Sequence, residues 1–226
     1  MAKMAVKSFL KSRFPRAVAV YRDARQVWSP SLTRVFSEIY HTNAWQDPES
    51  VSGRGSTLAR TGVIMSHLPL LLQELNAETL LDAACGDLNW MRYVKLRSVK
   101  YIGIDVVPDL ISRNRQLYEN QQRTFAVLDI TRDPLPNADV ILCRDCLIHL
   151  SFRRTAAAIA NFKKTSATHL LCTTHTTITE NMDCPDGNWR NVNLARPPFD
   201  FPEPLRSIVE DAESGKCLGV WRLQDL

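Results

Sequence analysis

Residues 79–91 read TLLDAACGDLNWM, and the succession of residue types in this stretch decides the fold. Leu80 and Leu81 open an apolar, strand-like run that delivers a carboxylate at Asp82. A turn holding Gly86 follows at once, and a fresh apolar stretch begins at Leu88. Strand, acid, tight turn and helix in that order present backbone N–H groups to a nucleotide-like ligand. A dinucleotide fingerprint fills such a turn with glycines. This chain has Ala84, Gly86 and Leu88 at the corresponding places.

Working outward, the pattern continues to alternate. Strands are expected at Leu80–Ala84, Tyr101–Asp105, Phe125–Leu128, Val140–Arg144 and His169–Thr174. Helical spacing appears over residues 88–95, from Pro108 with an apolar face of Leu110, Ile111, Leu117 and Tyr118, and from Ser151 through Phe152, Ala156, Ile159 and Phe162. Upstream, Met65, Leu68, Leu71, Leu72 and Leu75 keep helical spacing, with Pro69 expected to break or restart the helix. Five strand–helix alternations imply an α/β fold: a Rossmann-like, doubly wound, mostly parallel sheet covered on both faces. Leu205–Glu210 and Cys217–Leu223 flank Glu213-Ser214-Gly215 and read as a C-terminal antiparallel hairpin.

At 226 residues, 45% hydrophobic and 23% charged, the chain is long enough for one domain with a real core. No apolar run approaches the roughly 18–20 residues of a membrane span. A net charge of +4 gives no argument for nucleic acid. The charge is uneven, because no acid precedes Asp23 while Lys3, Lys7, Lys11, Arg13, Arg16 and Arg22 are basic. Residues 1–40 therefore read as a basic helical leader: a solvated helix or tail, a targeting segment, or a peripheral membrane contact through residues 1–22. Lys7 and Lys11 interrupt any signal-peptide core. The six cysteines read as small apolar fillers in a reducing compartment, so a cytoplasmic location is expected, with membrane association if the leader tethers the chain. Cys143 and Cys146 form a lone C-x-x-C with no second pair at zinc spacing.

Ligands of doubly wound sheets bind beyond the carboxyl ends of the strands, where strand order reverses. Asp82, Asp105, Asp129 and Asp145 stand at or just after those ends. Asp105 lies 19 residues beyond Gly86, near the spacing of an acid that holds ribose hydroxyls. Several acids would repel a pyrophosphate, and the missing glycines deny it close backbone approach. S-adenosylmethionine has ribose, adenine, an ammonium and a sulfonium but no phosphate, and it suits such a turn.

LLDAACGD, YIGID, VLDIT and VILCRDCLIHL resemble, in order, four motifs of the class I S-adenosylmethionine-dependent methyltransferases. The resemblance covers residues 79 to about 175 and the terminal hairpin. It implies that Asp82, Ala84 and Gly86 hold the methionine part, Asp105 the ribose, and Asp129 and Ile130 the adenine. It also implies that Arg144 contacts the cofactor at the fourth strand's end, where acceptor meets methyl group. The overall pattern is similar, less specifically, to bacterial sugar and polysaccharide O-methyltransferases.

After the fourth strand, Asp145 and His149 are four residues apart, as on one helical face, and His175 ends the fifth strand. His149 as general base oriented by Asp145 is one reading, with His175 as the next candidate. Asp145 as a turn cap with His149 packed beneath the sheet is another, and Mg²⁺ held by Asp145, His149 or His175 is a third. Residues 41–60 read either as a cofactor lid or as a linker. As a lid, Ser52, Gly53, Gly55 and Ser56 would form a backbone nest on the cofactor's carboxylate. The long segment 176–204 reads as a substrate loop, with Trp189, Arg190 and Asn191 as carbohydrate contacts. Asn181, Asn193, Phe199 and Phe201 lie in the same segment, and core packing explains the two phenylalanines equally well. Arg144-Asp145-Cys146-Leu147 does not resemble the Asn/Asp-Pro-Pro-aromatic stretch of methyltransferases that act on base amines, which argues against a nucleobase acceptor. The expected activity is O-methylation of a sugar or oligosaccharide hydroxyl, with another small-molecule or lipid-linked acceptor, or a non-catalytic cofactor-binding protein, as alternatives.

Overall fold

The protein is described by a computed structural model covering residues 30–226, of which Leu32–Leu226 form one compact unit. The leader expected over residues 1–40 lies mostly outside the described residues. Strands β1 (Thr79–Ala83), β2 (Lys100–Asp105), β3 (Arg123–Val127), β4 (Val140–Cys143), β5 (His169–His175), β6 (Arg206–Asp211) and β7 (Lys216–Arg222) build one sheet in the order β3-β2-β1-β4-β5-β7-β6. The first five are mutually parallel, and the terminal hairpin adds β7 antiparallel to β5 and β6 antiparallel to β7. This is the doubly wound sheet with a C-terminal antiparallel hairpin that the strand pattern predicts.

Alternate residues of the central strands feed two separate cores. Leu80, Val140, Leu142, Leu171 and Val220 face one side, where α2 (Leu58–Glu74) and α3 (Pro108–Tyr118) pack through Ile64, Leu68, Leu72 and Ile111. Leu81, Ile141, Cys143, Leu170 and Trp221 face the other, against Ala158 and Phe162 of α4 (Phe152–Phe162). Strands buried on both faces carry continuous apolar runs rather than an alternation, which is how this chain writes VILC and LLC.

Several expectations are corrected. Residues 88–95 form no helix, only a 3-10 turn at Met91–Tyr93, because Leu88 has φ +55 and Val94 is extended. The connection from β3 to β4 contains no helix either, so fewer than five strand–helix alternations occur. Pro69 does not interrupt α2, which runs unbroken across it, held by its buried face of Ile64, Leu68, Leu71 and Leu72. Helix α1 (Leu32–Thr42) leads into the segment 41–60.

Candidate active site

Strand order reverses between β2-β1 and β4-β5, and the cavity opens there. Asp82 ends β1 at its floor. Its Oδ2 accepts a 2.7 Å hydrogen bond from the Tyr101 hydroxyl, and no described cation pairs with it. Burial raises its pKa to about 7, against the opposing pull of Tyr101 and Arg144. Asp105 ends β2 and accepts the backbone N–H of Gly86 at 3.2 Å and of Val107 at 3.1 Å. Its pKa also rises, because burial outweighs these bonds. Asp129 accepts the N–H and hydroxyl of Thr131 at 2.9 and 2.6 Å. Val106, Leu110, Leu128 and Ile130 give the same cavity an apolar wall, and Leu32, Phe36 and Tyr40 of α1 roof it. Asp82, Ala84, Gly86, Asp105, Asp129, Ile130 and Arg144 thus line one space.

The turn explains its residues. Gly86 has φ +57, and a Cβ there would stand 2.3 Å from Ser52 Oγ. The third fingerprint position, Leu88, keeps a left-handed backbone without glycine, at a cost of order 1–2 kcal/mol that its complete burial offsets. Residues 50–52 are strapped to this turn. Asp87 accepts the Ser50 hydroxyl at 2.9 Å and the Val51 N–H at 3.0 Å, and Ser52 Oγ accepts the Asp87 N–H at 2.9 Å. Asn89 donates to Glu49 Oε1 at 2.6 Å and to the Ser56 carbonyl at 3.0 Å. The expected nest is partly spent within the segment, since Gly53 N–H bonds Ser50 O and Ser56 N–H bonds Gly53 O.

A second cavity adjoins the first. Trp45, Ser52, Asp145 and His149 line both, so these four form the wall between them. Asp145 of this wall belongs to an ion network with Arg144 of the first cavity and Glu210 and Lys216 of the second. Arg144 donates to Glu210 with a shortest contact of 2.5 Å and pairs with Asp145 at 3.2 Å. Lys216 bonds Asp145 Oδ2 at 2.6 Å and lies 3.6 Å from Glu210. Burial pushes the Asp145 carboxyl up, but Arg144 and Lys216 together pull it down to about 2.

Asp145 has φ +51 and precedes a 3-10 turn, Leu147–His149, so the two residues do not share an α-helical face. No hydrogen bond joins them. The His149 ring is oriented instead by the Asn188 carbonyl, 2.9 Å from Nδ1, and stacks on Trp45 with ring centroids 4.8 Å apart. Burial lowers its pKa, so it is neutral near pH 7. His175 also lines the second cavity, but it is buried and its Nδ1 lies 3.3 Å from the Val192 N–H. Trp189 and Asn191 line that cavity, with Trp189 63% exposed. Arg190 does not. It turns inward to the Ile148 carbonyl and Cys184, over the Phe152 ring. Phe201 packs on Trp221, and Phe199 on Phe152.

No group of three His, Cys, Asp or Glu among the described residues is arranged to hold a metal. The Mg²⁺ set of Asp145, His149 and His175 is not assembled, because Lys216 and Arg144 take the Asp145 carboxylate and Val192 covers His175. Sequence reasoning missed Glu210 and Lys216, which the hairpin brings to Arg144 and Asp145 respectively, and the roof from α1. No local signal marks them.

Residues 80–168 match the family model described as a methyltransferase domain. No curated protein sequence matches the chain. Among solved structures, human N-acetylserotonin methyltransferase in complex with S-adenosylmethionine aligns over 94% of this chain and 68% of that chain, at 13% identity and TM-score 0.57. A Burkholderia thailandensis 1,6-didemethyltoxoflavin N1-methyltransferase, with that compound and S-adenosylhomocysteine bound, aligns over 84% and 86%, at 14% identity and TM-score 0.56. The chain spans 66% of the bacterial CtHen1-C methyltransferase domain, with 51% of its own length aligned at 18% identity and TM-score 0.45. The fold is the Rossmann-like methyltransferase fold. The matched segment carries the strand ends that build the first cavity.

Proposed function

We propose that this chain transfers a methyl group from S-adenosylmethionine to a hydroxyl of a sugar or oligosaccharide. The observation that carries the reading is the common wall of Trp45, Ser52, Asp145 and His149 between an acid-floored cavity and a second, aromatic and polar one. A buried carboxylate with a hydroxyl partner and no ion pair fits a cationic ligand, and among the described residues Asp82 meets that description. Asp105 would hold ribose hydroxyls with the lone pairs its two backbone bonds leave, and Ile130 and Leu128 would flank adenine. When bound, the cofactor supplies an electrophilic methyl group on a sulfonium.

The chain's own residues supply the rest. With Nδ1–H donated to Asn188 O, His149 carries its lone pair on Nε2, the tautomer a general base needs. Ionised Asp145 lies close enough to favour the imidazolium that forms when the acceptor's proton arrives. Trp189 offers a flat face for a sugar ring and Asn191 an amide for its hydroxyls. A small aromatic acceptor is a second reading. The Trp45–His149 stack favours it, and two proteins of the same fold are named for N-acetylserotonin and 1,6-didemethyltoxoflavin.

The test follows S-adenosylhomocysteine release over a panel of sugars, aromatic hydroxyl compounds and lipid-linked acceptors. On the best acceptor, His149→Ala should lower turnover about 10²–10⁴-fold with cofactor affinity within about threefold. The acidic limb of the wild-type pH–rate profile should lie below the ordinary histidine value of 6.5, since burial lowers this pKa. Near-full turnover in His149→Ala would remove the base, and turnover confined to aromatic acceptors would select the second reading.

A further inference from the structure

We infer that the second cavity is built for an acceptor bearing an oxyanion, a carboxylate or phosphate, held by Arg54. The inference rests on the methyltransferase reading above and narrows its acceptor. Arg54, Arg60 and Lys216 line the cavity together with Asp145, Glu210 and Asp211. Five of these six charges are already matched. Lys216 pairs with Asp145 and Glu210, and Arg60 pairs with Asp211 at 3.2 Å. Arg144, which lines the first cavity, shares both Asp145 and Glu210. Arg54 alone among them has no ion pair or hydrogen bond from its side chain to any described residue. Pairing therefore leaves the cavity with one uncompensated positive charge, carried by a guanidinium whose fork suits carboxylate and phosphate oxygens.

Local hydrogen bonds fix the backbone from which that exposed side chain starts. Arg54 opens a 3-10 turn, Arg54–Ser56, whose carbonyl accepts the Thr57 N–H at 3.2 Å and hydroxyl at 3.0 Å. Gly55, next to it, lies so close to the network that a Cβ would stand 2.6 Å from Asp145 Oδ2. The turn thus sets Arg54 on the wall of the cavity that Asp145 and His149 also line, where the acceptor would receive the methyl group. The cofactor's own carboxylate is a poorer partner, because Arg54 does not line the first cavity whereas Ser52 and Ser56 do.

The test titrates full-length protein saturated with S-adenosylhomocysteine against D-glucuronate, D-glucose 6-phosphate, D-glucose and inorganic phosphate, read by ligand-observed NMR. At low salt the two anionic sugars should bind at least about tenfold tighter than glucose. Arg54→Gln should reduce that preference below about threefold and Arg54→Lys restore part of it, with S-adenosylhomocysteine affinity unchanged in both. Absence of any charge preference in the wild type, or a preference that survives in Arg54→Gln, overturns the inference. Glucose bound as tightly as glucuronate removes the anion site and leaves the sugar reading. Phosphate bound as tightly as glucose 6-phosphate, with the same dependence on Arg54, keeps the anion site and removes the sugar. Failure of S-adenosylhomocysteine to bind at all removes the methyltransferase reading and this inference with it.

Discussion

Asp82 sits at the end of β1 with a phenolic hydroxyl as partner and no ion pair among the described residues, and its pKa of about 7 records how far burial outweighs Tyr101 and Arg144. The folded-state value lies above the ordinary value of 3.8, so this group's contribution to stability is full below about pH 4. It is lost as pH rises through 7. Asp82→Asn should therefore make the ligand-free protein more stable than wild type at pH 8 and no more stable at pH 4, by thermal melts at both. The same variant should lose cofactor affinity, because a cationic ligand is what the buried carboxylate suits. Wild-type affinity should fall by up to about tenfold per pH unit below 7, where binding must first expel a proton. A pH-independent affinity in calorimetry would remove Asp82 from the site. Asp105 is the complementary case. Asp105→Ala should weaken S-adenosylmethionine binding by at least about 1.5 kcal/mol, through the lost ribose bonds and a loosened Gly86 turn.

At the scale of elements, the site depends on two segments distant in sequence from the cofactor motifs. The strap of residues 50–52 is tied to the glycine turn through Asp87. Asp87→Ala removes the acceptor for three groups, the Ser50 hydroxyl and the N–H groups of Val51 and Asn89. The strap should then open, weakening cofactor binding by about 1–3 kcal/mol and admitting protease cleavage between residues 45 and 56. Cleavage no faster than in wild type would show that packing alone holds the strap. The terminal hairpin supplies Glu210, whose side chain is 1% exposed and is Arg144's main partner. Glu210→Leu leaves a guanidinium buried without its principal partner and should destabilise the fold by about 3–5 kcal/mol in denaturant unfolding. Replacing Arg144 and Glu210 together by apolar residues should cost less than the single change, because no charge is then stranded.

At the scale of the whole molecule, the described unit begins at Leu32, and the lining of both cavities lies within it. Deleting residues 1–25 should leave S-adenosylhomocysteine affinity within about twofold, since no residue of the cofactor motifs lies there; a larger loss would make the leader part of the pocket. Among the described residues no helix is long and apolar enough to cross a membrane. Membrane contact through the basic leader would show as vesicle binding lost on the same deletion and weakened by salt, as charge-driven association must be.

The sequence by itself determined the parallel sheet, its terminal hairpin and the four acids at its strand ends. Those features rest on short-range patterns: apolar runs of strand length, turn residues, and acids placed directly after strands. They survived even where local helix spacing misled, as at residues 88–95, because strands buried on both faces specify a sheet whatever connects them. Tertiary structure alone decided the partners. Asp145 meets Lys216 across 71 residues rather than His149 across four, since a left-handed backbone at Asp145 turns its carboxylate toward the hairpin. Arg190, polar and flanked by Trp189 and Asn191, is turned inward by carbonyl and aromatic contacts that no spacing rule reports. The roof from α1 and the pairing of Arg144 with Glu210 likewise belong to the packed state, because charge neutralisation in a buried site depends on which strands become neighbours, and that is fixed only when the sheet has closed.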